Sequence, residues 1–204
     1  MTNHWIDIKN TDCALIIGSN AAENHPVSFK YVLQAQAKGA KVIHVDPRYS
    51  RTSSKADKYV RIRTGTDIAF MGGMIYWILE DMRLHPENYN LQYVQEYTNA
   101  AYRINPAVKL PGDDGQNGLF SGWADGKYDP ATWRYANPSD ATAEPKLLTP
   151  NWEGWTNRTA TEETAWAELD DNCVLKLLWR QYRRHGKATV SRITGIPEDK
   201  LEAV

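Results

Sequence analysis

Two aspartates and one glycine-asparagine loop have the types and spacing to hold a nucleotide. The loop is Gly18-Ser19-Asn20-Ala21-Ala22-Glu23-Asn24-His25-Pro26, and it lies between an apolar run and a helical pattern. Gly18 permits close backbone approach to a ligand. Ser19, Asn20 and Asn24 offer donors, and amides at the start of a helix favour phosphate. His25 is the one histidine placed to touch a ligand there. Asp46 closes a second apolar run, where its carboxylate can accept hydrogen bonds from a ribose diol. Pro47 fixes the turn after it, and Arg48, Arg51, Thr52 and Ser53 bring groups suited to phosphate oxygens. Asp67, in Gly65-Thr66-Asp67, can accept the two parallel N–H bonds that a guanine edge presents.

Each feature has a plainer account. The first loop can be a strand-to-helix turn with polar caps, the Asp46 segment a solvated turn, and Thr66-Asp67 a helix cap. The loop is not G-x-G-x-x-G, which disfavours an ordinary NAD site. The sequence contains neither G-x-x-x-x-G-K-[ST] nor a nucleophile elbow. The five histidines follow no metal-ligand spacing. His44 alternates with apolar neighbours and reads as a satisfied interior residue, while His4, His85 and His185 read as structural or exposed. Cys13 and Cys173 lie too far apart for a zinc or disulfide pattern and both read as buried thiols. Glu162-Glu163 and Asp170-Asp171 read as solvated charge.

The elements that position these groups follow from local pattern. Ala14-Leu15-Ile16-Ile17 reads as a short buried strand. Residues 27–38 read as a helix stopped by Gly39, and residues 41–48 as a strand ending in an acid. Strand, loop, helix, strand, acid is the layout of a nucleotide-binding crossover. Residues 59–63 alternate like a third strand. A helix follows from Asp67, with Ile68, Met71, Ile75, Ile78 and Met82 at helical spacing, Phe70, Met74 and Leu79 beside them, and Pro86 at its end. A shorter helix is predicted over residues 91–97. Residues 1–9 read as the last turns of a helix with no cap of its own, as in an excised piece of a longer chain.

Residues 100–163 differ in kind, with many Gly, Pro, Asp and Asn and with Trp123, Trp133, Trp152 and Trp155. Those tryptophans either line a sugar or aromatic groove or pin the segment. Helical order returns over residues 170–185, where Val174, Leu177, Leu178 and Tyr182 form a stripe. Gly186 is the expected stop, and Pro197 is placed to begin one more helix. The expected division is an α/β portion over 1–99, an irregular aromatic-rich insertion over 100–163, and a helical return over 164–204.

At 204 residues the chain suffices for one good-sized domain or two small ones. Its 42% hydrophobic and 24% charged content is that of a globular protein. A net charge of −1 gives no electrostatic case for nucleic acid or an anionic membrane. No apolar run approaches a membrane span, and no segment of export type opens the sequence.

These motifs, in this order, resemble the molybdopterin-guanine-dinucleotide oxidoreductases, and more narrowly the catalytic α subunit of molybdenum- or tungsten-dependent formate dehydrogenase. The resemblance rests on residues 1–12, on Gly18 through Pro26, on Val45-Asp46-Pro47-Arg48, Arg51-Thr52 and Ala56-Asp57, and on Arg63-Thr64-Gly65-Thr66-Asp67-Ile68-Ala69-Phe70. Tyr97-Thr98-Asn99-Ala100 and the stretch from Gly118 to Trp133 are similar to the respiratory, often periplasmic, branch.

The resemblance implies a parallel-sheet, Rossmann-like nucleotide-binding layer flanked by helices. Gly18, Ser19, Asn20, Glu23, Asn24 and His25 would cradle a pyrophosphate, Asp46 hold a ribose, Arg48 or Thr52 a phosphate, and Asp67 read the guanine, with Pro47 and Gly65 also among the cofactor-binding residues. The cofactor implied is molybdenum or tungsten bis(molybdopterin guanine dinucleotide), with a 4Fe-4S cluster elsewhere in the subunit. The metal ligand, a selenocysteine or cysteine followed by histidine, and the cluster cysteines would lie upstream of Met1, so this chain alone is expected to be silent. Implied partners are formate, the rest of the catalytic subunit and an iron–sulfur electron-transfer subunit. The implied location is the periplasm, with the cytoplasm as alternative. A nitrate reductase of the same cofactor family, or a stand-alone nucleotide- or sugar-binding module, are the rival readings.

Overall fold

A computed structural model describes residues 3–113, 116, 118–129, 135, 166 and 169–204. The chain divides into two compact units, Met1–Met71 with Gly186–Val204, and Gly72–His185. Trp133, Trp152, Trp155, Glu162 and Glu163 lie outside the described residues.

The first unit is mixed α/β. Three parallel strands, β1 (Cys13–Ile17), β2 (Lys41–Val45) and β3 (Lys58–Val60), stand in the order β1-β2-β3. β2 is central, and Val42, Ile43, His44 and Val45 are all buried. That explains its unbroken apolar run, since a strand of a parallel sheet is covered on both faces. Between β1 and β2 the chain forms α1 (Ala21–Asn24) and α2 (Pro26–Ala37). Pro26 at the first helical position of α2 gives up no hydrogen bond that the helix needs. Phe29, Val32 and Ala35 fall on one face of α2 and are buried. Phe29 and Val32 pack with Val42 of β2, with Ile8, Ala14 and Ile16 at the margin. Truncating Phe29 to Ala would cost about 3–5 kcal/mol through lost burial and the cavity left behind. Gly39, at φ +104°, ends α2 where the sequence predicted a stop.

Three expectations near the N-terminus need correction. Residues 5–10 form a 3-10 helix with a cap of its own, in which His4 Nδ1 accepts from the Ile6 N–H at 3.2 Å. The Gly18–Pro26 segment contains the helical turn α1, which the polar Asn-Ala-Ala-Glu-Asn letters did not announce. Cys13 is exposed, contrary to expectation, because it opens β1 at the edge of the sheet.

α3 (Asp67–Leu84) runs as predicted, and a 3-10 turn follows at Pro86. Its buried face matches the predicted stripe only in part, at Met82 and at Ile75, which packs against the core. Ile68, Met71 and Ile78 are exposed, Ile68 by 86%, while Ala69, Phe70, Leu79 and Met82 are buried. Apolar residues surround this helix, so spacing alone could not choose its inner face. The Thr66 hydroxyl donates to the Arg63 carbonyl at 2.6 Å, closing the turn ahead of the helix.

In the second unit the core is Leu79, Met82, Leu91, Ala100, Ala101, Trp166, Leu169, Cys173 and Leu175. These residues come from α3, from α4 (Leu91–Tyr97) and the turn after it, and from the approach to and first turn of α5 (Val174–Tyr182). The α4 bounds coincide with the prediction. Trp166 and Trp179 meet edge to face at 6.1 Å, beyond the tryptophans that the sequence singled out. Trp123 lies in the small hairpin of β4 (Trp123–Ala124) and β5 (Lys127–Tyr128), exposed against Tyr128. Cys173 caps α5, its Sγ accepting from the Lys176 N–H.

The first unit ends in α6 (Lys187–Thr194) and α7 (Glu198–Glu202). α6 was not predicted: Gly186 ends one helical stretch and caps the next. Pro197 opens α7 as expected. Arg63 Nη1 donates to the Ile193 carbonyl at 2.7 Å, satisfying the open C-terminus of α6. Among the described residues no helix is long and apolar enough to cross a membrane.

Candidate functional site

The parallel register brings the C-terminal ends of the strands to one rim. Ile17 is opposite Val45, and Val45 is opposite Val60. The Gly18 N–H donates to the Val45 carbonyl at 2.9 Å, and the Asp46 N–H to the Val60 carbonyl at 3.1 Å. The loops after β1 and β2 therefore leave the sheet side by side. This is the edge at which open α/β sheets bind ligands. At Gly18, φ is +63° and nothing lies within 4 Å of where a Cβ would stand, so the backbone is open to close approach.

Direct hydrogen bonds tie the two loops together. Thr52 is fully buried. Its hydroxyl donates to Asn20 Oδ1 at 3.1 Å and accepts from the Ala22 N–H at 3.0 Å. A hydroxyl has a single proton to give, and here it goes to Asn20. In this structure the Thr52 hydroxyl clasps the two loops to each other. Asn20 also donates to Glu23 Oε2 at 2.5 Å, which turns that carboxylate back onto its own loop. Asn24 and His25 are exposed at the end of α1, and the His25 ring stacks on Trp5 at 5.8 Å.

His44 sits at 0% exposure beneath both loops, the satisfied interior residue that the sequence predicted. Its Nε2 lies 3.1 Å from the Ser19 carbonyl and its Nδ1 2.8 Å from Ser53 Oγ. A carbonyl only accepts, so Nε2 carries the proton and Nδ1 accepts from Ser53. Burial lowers the His44 pKa below its ordinary 6.5, and the Asp46 carboxylate opposes that shift. Ser53 also accepts from the Ser50 N–H at 2.8 Å, so it too is committed internally.

Asp46 is the rim's acidic group, its side chain 15% exposed. Oδ1 accepts from the Arg48 N–H at 2.7 Å, which fixes the turn through Pro47. Oδ2 lies 3.8 Å from His44 Nε2. The Tyr59 hydroxyl donates to the Asp46 carbonyl at 2.9 Å, a contact that sequence reasoning missed because the two residues sit on different strands. Burial first, and then Asp46, push the Tyr59 phenol up from its usual pKa. Pro47, Arg48 and Arg51 are exposed. Beside Pro47 a cavity of about 590 Å³ is lined by Arg61, Arg63, Thr64 and Lys200 among others. The loop surface therefore pairs one carboxylate with several cations.

The third turn stands apart in its bonding. Gly65 has φ +79°, and Asp67 opens α3, exposed, without a hydrogen bond to either of the other loops. Among the described residues no three or more His, Cys, Asp or Glu side chains gather to hold a metal ion.

Residues 1–84 match the molybdopterin oxidoreductase family. The chain is 39% identical over 206 residues to formate dehydrogenase 2 subunit alpha (cytochrome c-553) of Nitratidesulfovibrio vulgaris, covering 98% of this chain and 17% of that protein. It is 40% identical over 203 residues to the formate dehydrogenase subunit alpha of Megalodesulfovibrio gigas, with the same coverage of 98% and 17%. It thus spans about one sixth (17%) of the length of these curated relatives. A periplasmic nitrate reductase of Desulfovibrio desulfuricans is 39% identical over 97 residues, covering 47% of this chain and 12% of that protein. Among solved structures, acetylene hydratase from Pelobacter acetylenicus superposes with a TM-score of 0.49 at 17% identity, covering 98% of this chain and 19% of that one.

Proposed function

We propose that this chain, whose residues 1–84 match the molybdopterin oxidoreductase family, is the part of a formate dehydrogenase α subunit that grips the nucleotide end of a molybdopterin guanine dinucleotide. The observation that carries the proposal is the placement of Asp46. It closes the central strand beside a glycine loop with an open backbone, its turn fixed by Arg48 and its loop clasped to the first through Thr52 and Asn20. In this reading the three strands belong to a larger Rossmann-like layer.

The residues present fit such a ligand. The Ser19 and Asn20 N–H groups have no acceptor among the described residues and suit phosphate oxygens. Asp46 keeps lone pairs for a ribose diol once Oδ1 has taken the Arg48 amide. The Arg48 and Arg51 side chains, exposed and without a partner among the described residues, would meet phosphate, and Asp67 would read the guanine edge from the third turn. When bound, the pterin cofactor supplies the molybdenum or tungsten centre to which formate gives its electrons as it becomes carbon dioxide. The chain's own residues bind and orient the nucleotide, and none is assigned a catalytic role. An iron–sulfur electron-transfer subunit and the remainder of the catalytic subunit are the proposed partners. The periplasm is the proposed location, with the cytoplasm as the alternative, and cell fractionation decides between them.

The test is calorimetry of the chain with guanosine diphosphate, adenosine diphosphate and simple sugars. Selective binding of the guanine nucleotide is expected. Sugar binding without a guanine response would favour a stand-alone module instead. The nitrate reductase similarity over 97 residues keeps a sister enzyme as the second reading. Turnover of the intact subunit with formate rather than nitrate separates the two.

A further inference from the structure

His44 holds one atom of each loop at the rim. Its Nε2 reaches the Ser19 carbonyl in the loop after β1, and its Nδ1 reaches Ser53 in the loop after β2. The ring lies on the central strand, fully enclosed, with the Asp46 carboxylate 3.8 Å from Nε2. An alkyl side chain of similar size would fill the same space and make neither bond. We propose that His44 is the positioning residue of this site, a buried strut that sets the spacing of the two loops and the stance of the Asp46 carboxylate between them. Its consequence for a ligand rests on the nucleotide reading above. The strut itself does not.

The arrangement makes the spacing sensitive to a proton. In the neutral ring Ser53 donates to Nδ1. Protonation places an N–H at Nδ1, so the Ser53 hydroxyl must turn its own proton away and accept from the ring while still accepting from the Ser50 N–H. Charged and titratable groups facing the ring are few. Asp46 stands on the strand's own end, and Tyr59 on β3 is 6.1 Å away ring to ring, with Tyr49 against it and the Arg61 charge acting on it. The loop after β1 presents the Ser19 carbonyl, and the loop after β2 presents the uncharged Ser53. Asp46, and after it the hydrogen bond to the Ser19 carbonyl, oppose the burial that keeps the ring neutral.

Hydrogen exchange of the whole chain, read peptide by peptide and corrected for intrinsic rates, tests this. His44→Phe should raise exchange in residues 18–24 and 48–56 together by about tenfold, the loss expected from one buried hydrogen bond per loop, with β1, β2 and β3 still protected. Ser53→Ala should loosen only residues 48–56, and it serves if His44→Phe does not fold. In the unchanged chain both loops should loosen together as the pH falls below the ordinary histidine value. His44→Gln, which keeps a donor and an acceptor but does not titrate, should lose that pH response. Opening of a single loop in His44→Phe, equal loss of protection across the sheet, or a pH response that persists in His44→Gln would overturn the proposal. Guanosine diphosphate added to the same samples separates the two claims. A parent chain that gains no protection from it counts against the proposed function and leaves the loop result standing.

Discussion

The Thr52 hydroxyl donates to Asn20 Oδ1 across 3.1 Å, joining loops 32 residues apart, and accepts the Ala22 amide in the same place. Removing the hydroxyl leaves the Ala22 N–H without its partner in a part-buried site. Thr52→Val should therefore cost about 1–3 kcal/mol, the penalty for a buried donor left unpaired. Thr52→Ser keeps the oxygen and should recover most of that. Urea unfolding of the three chains measures the differences, and equal midpoints would remove the clasp.

Asp46→Ala deletes the acceptor proposed for the ribose. A charge-assisted bond to a half-buried group is worth about 1.5–3 kcal/mol, so cofactor or guanine-nucleotide binding should weaken by that amount. Full cofactor occupancy of the variant in the intact enzyme would count against the assignment. The Arg48 turn is also lost, so Asp46→Asn, which keeps an oxygen for the Arg48 N–H, separates the lost charge from the lost turn.

Stability should fall as the pH drops below about 6.5. His44 and His185 are both held below their ordinary value, in each case mainly by burial. The unfolded chain therefore takes up protons near 6.5 while the folded chain does so only at lower pH. Their contribution is fully present above 6.5 and is lost as the pH falls through the lower folded values. Melting temperature measured from pH 8 to pH 5 should show this slope, and His44→Gln should flatten part of it. A flat profile in the parent chain would refute it.

Gly72 lies inside α3, where Ala would ordinarily stabilise by about 1 kcal/mol. An added Cβ would stand 3.0 Å from three atoms of the His185 ring. Gly72→Ala should thus give no net gain, whereas in a His185→Ala background it should stabilise by about 1 kcal/mol. A double-mutant cycle measures that coupling, and additive effects would show that the ring gives way freely.

Cys13 is exposed and Cys173 is buried. A thiol reagent should modify one cysteine quickly in the folded chain and the second only on unfolding. Two fast thiols would contradict the placement of Cys173 in the second unit's core.

Much of the fold was legible from local pattern. β1, α2, β2, α3 and α4 were each visible in the sequence, because burial period, proline, glycine and turn residues act within a few positions of one another. The Asp46 turn was legible for the same reason, since its carboxylate bonds an amide two residues on. Other features were not local and could not be read. Which side of α3 faces inward depends on which elements surround it, so Ile68 and Ile78 lie outside where spacing put them inside. Thr52 and Ser53 had the chemistry for phosphate. Tertiary structure decided that their hydroxyls bond Asn20 and His44, because a buried polar group must find a partner and these were the partners the folded loops supplied.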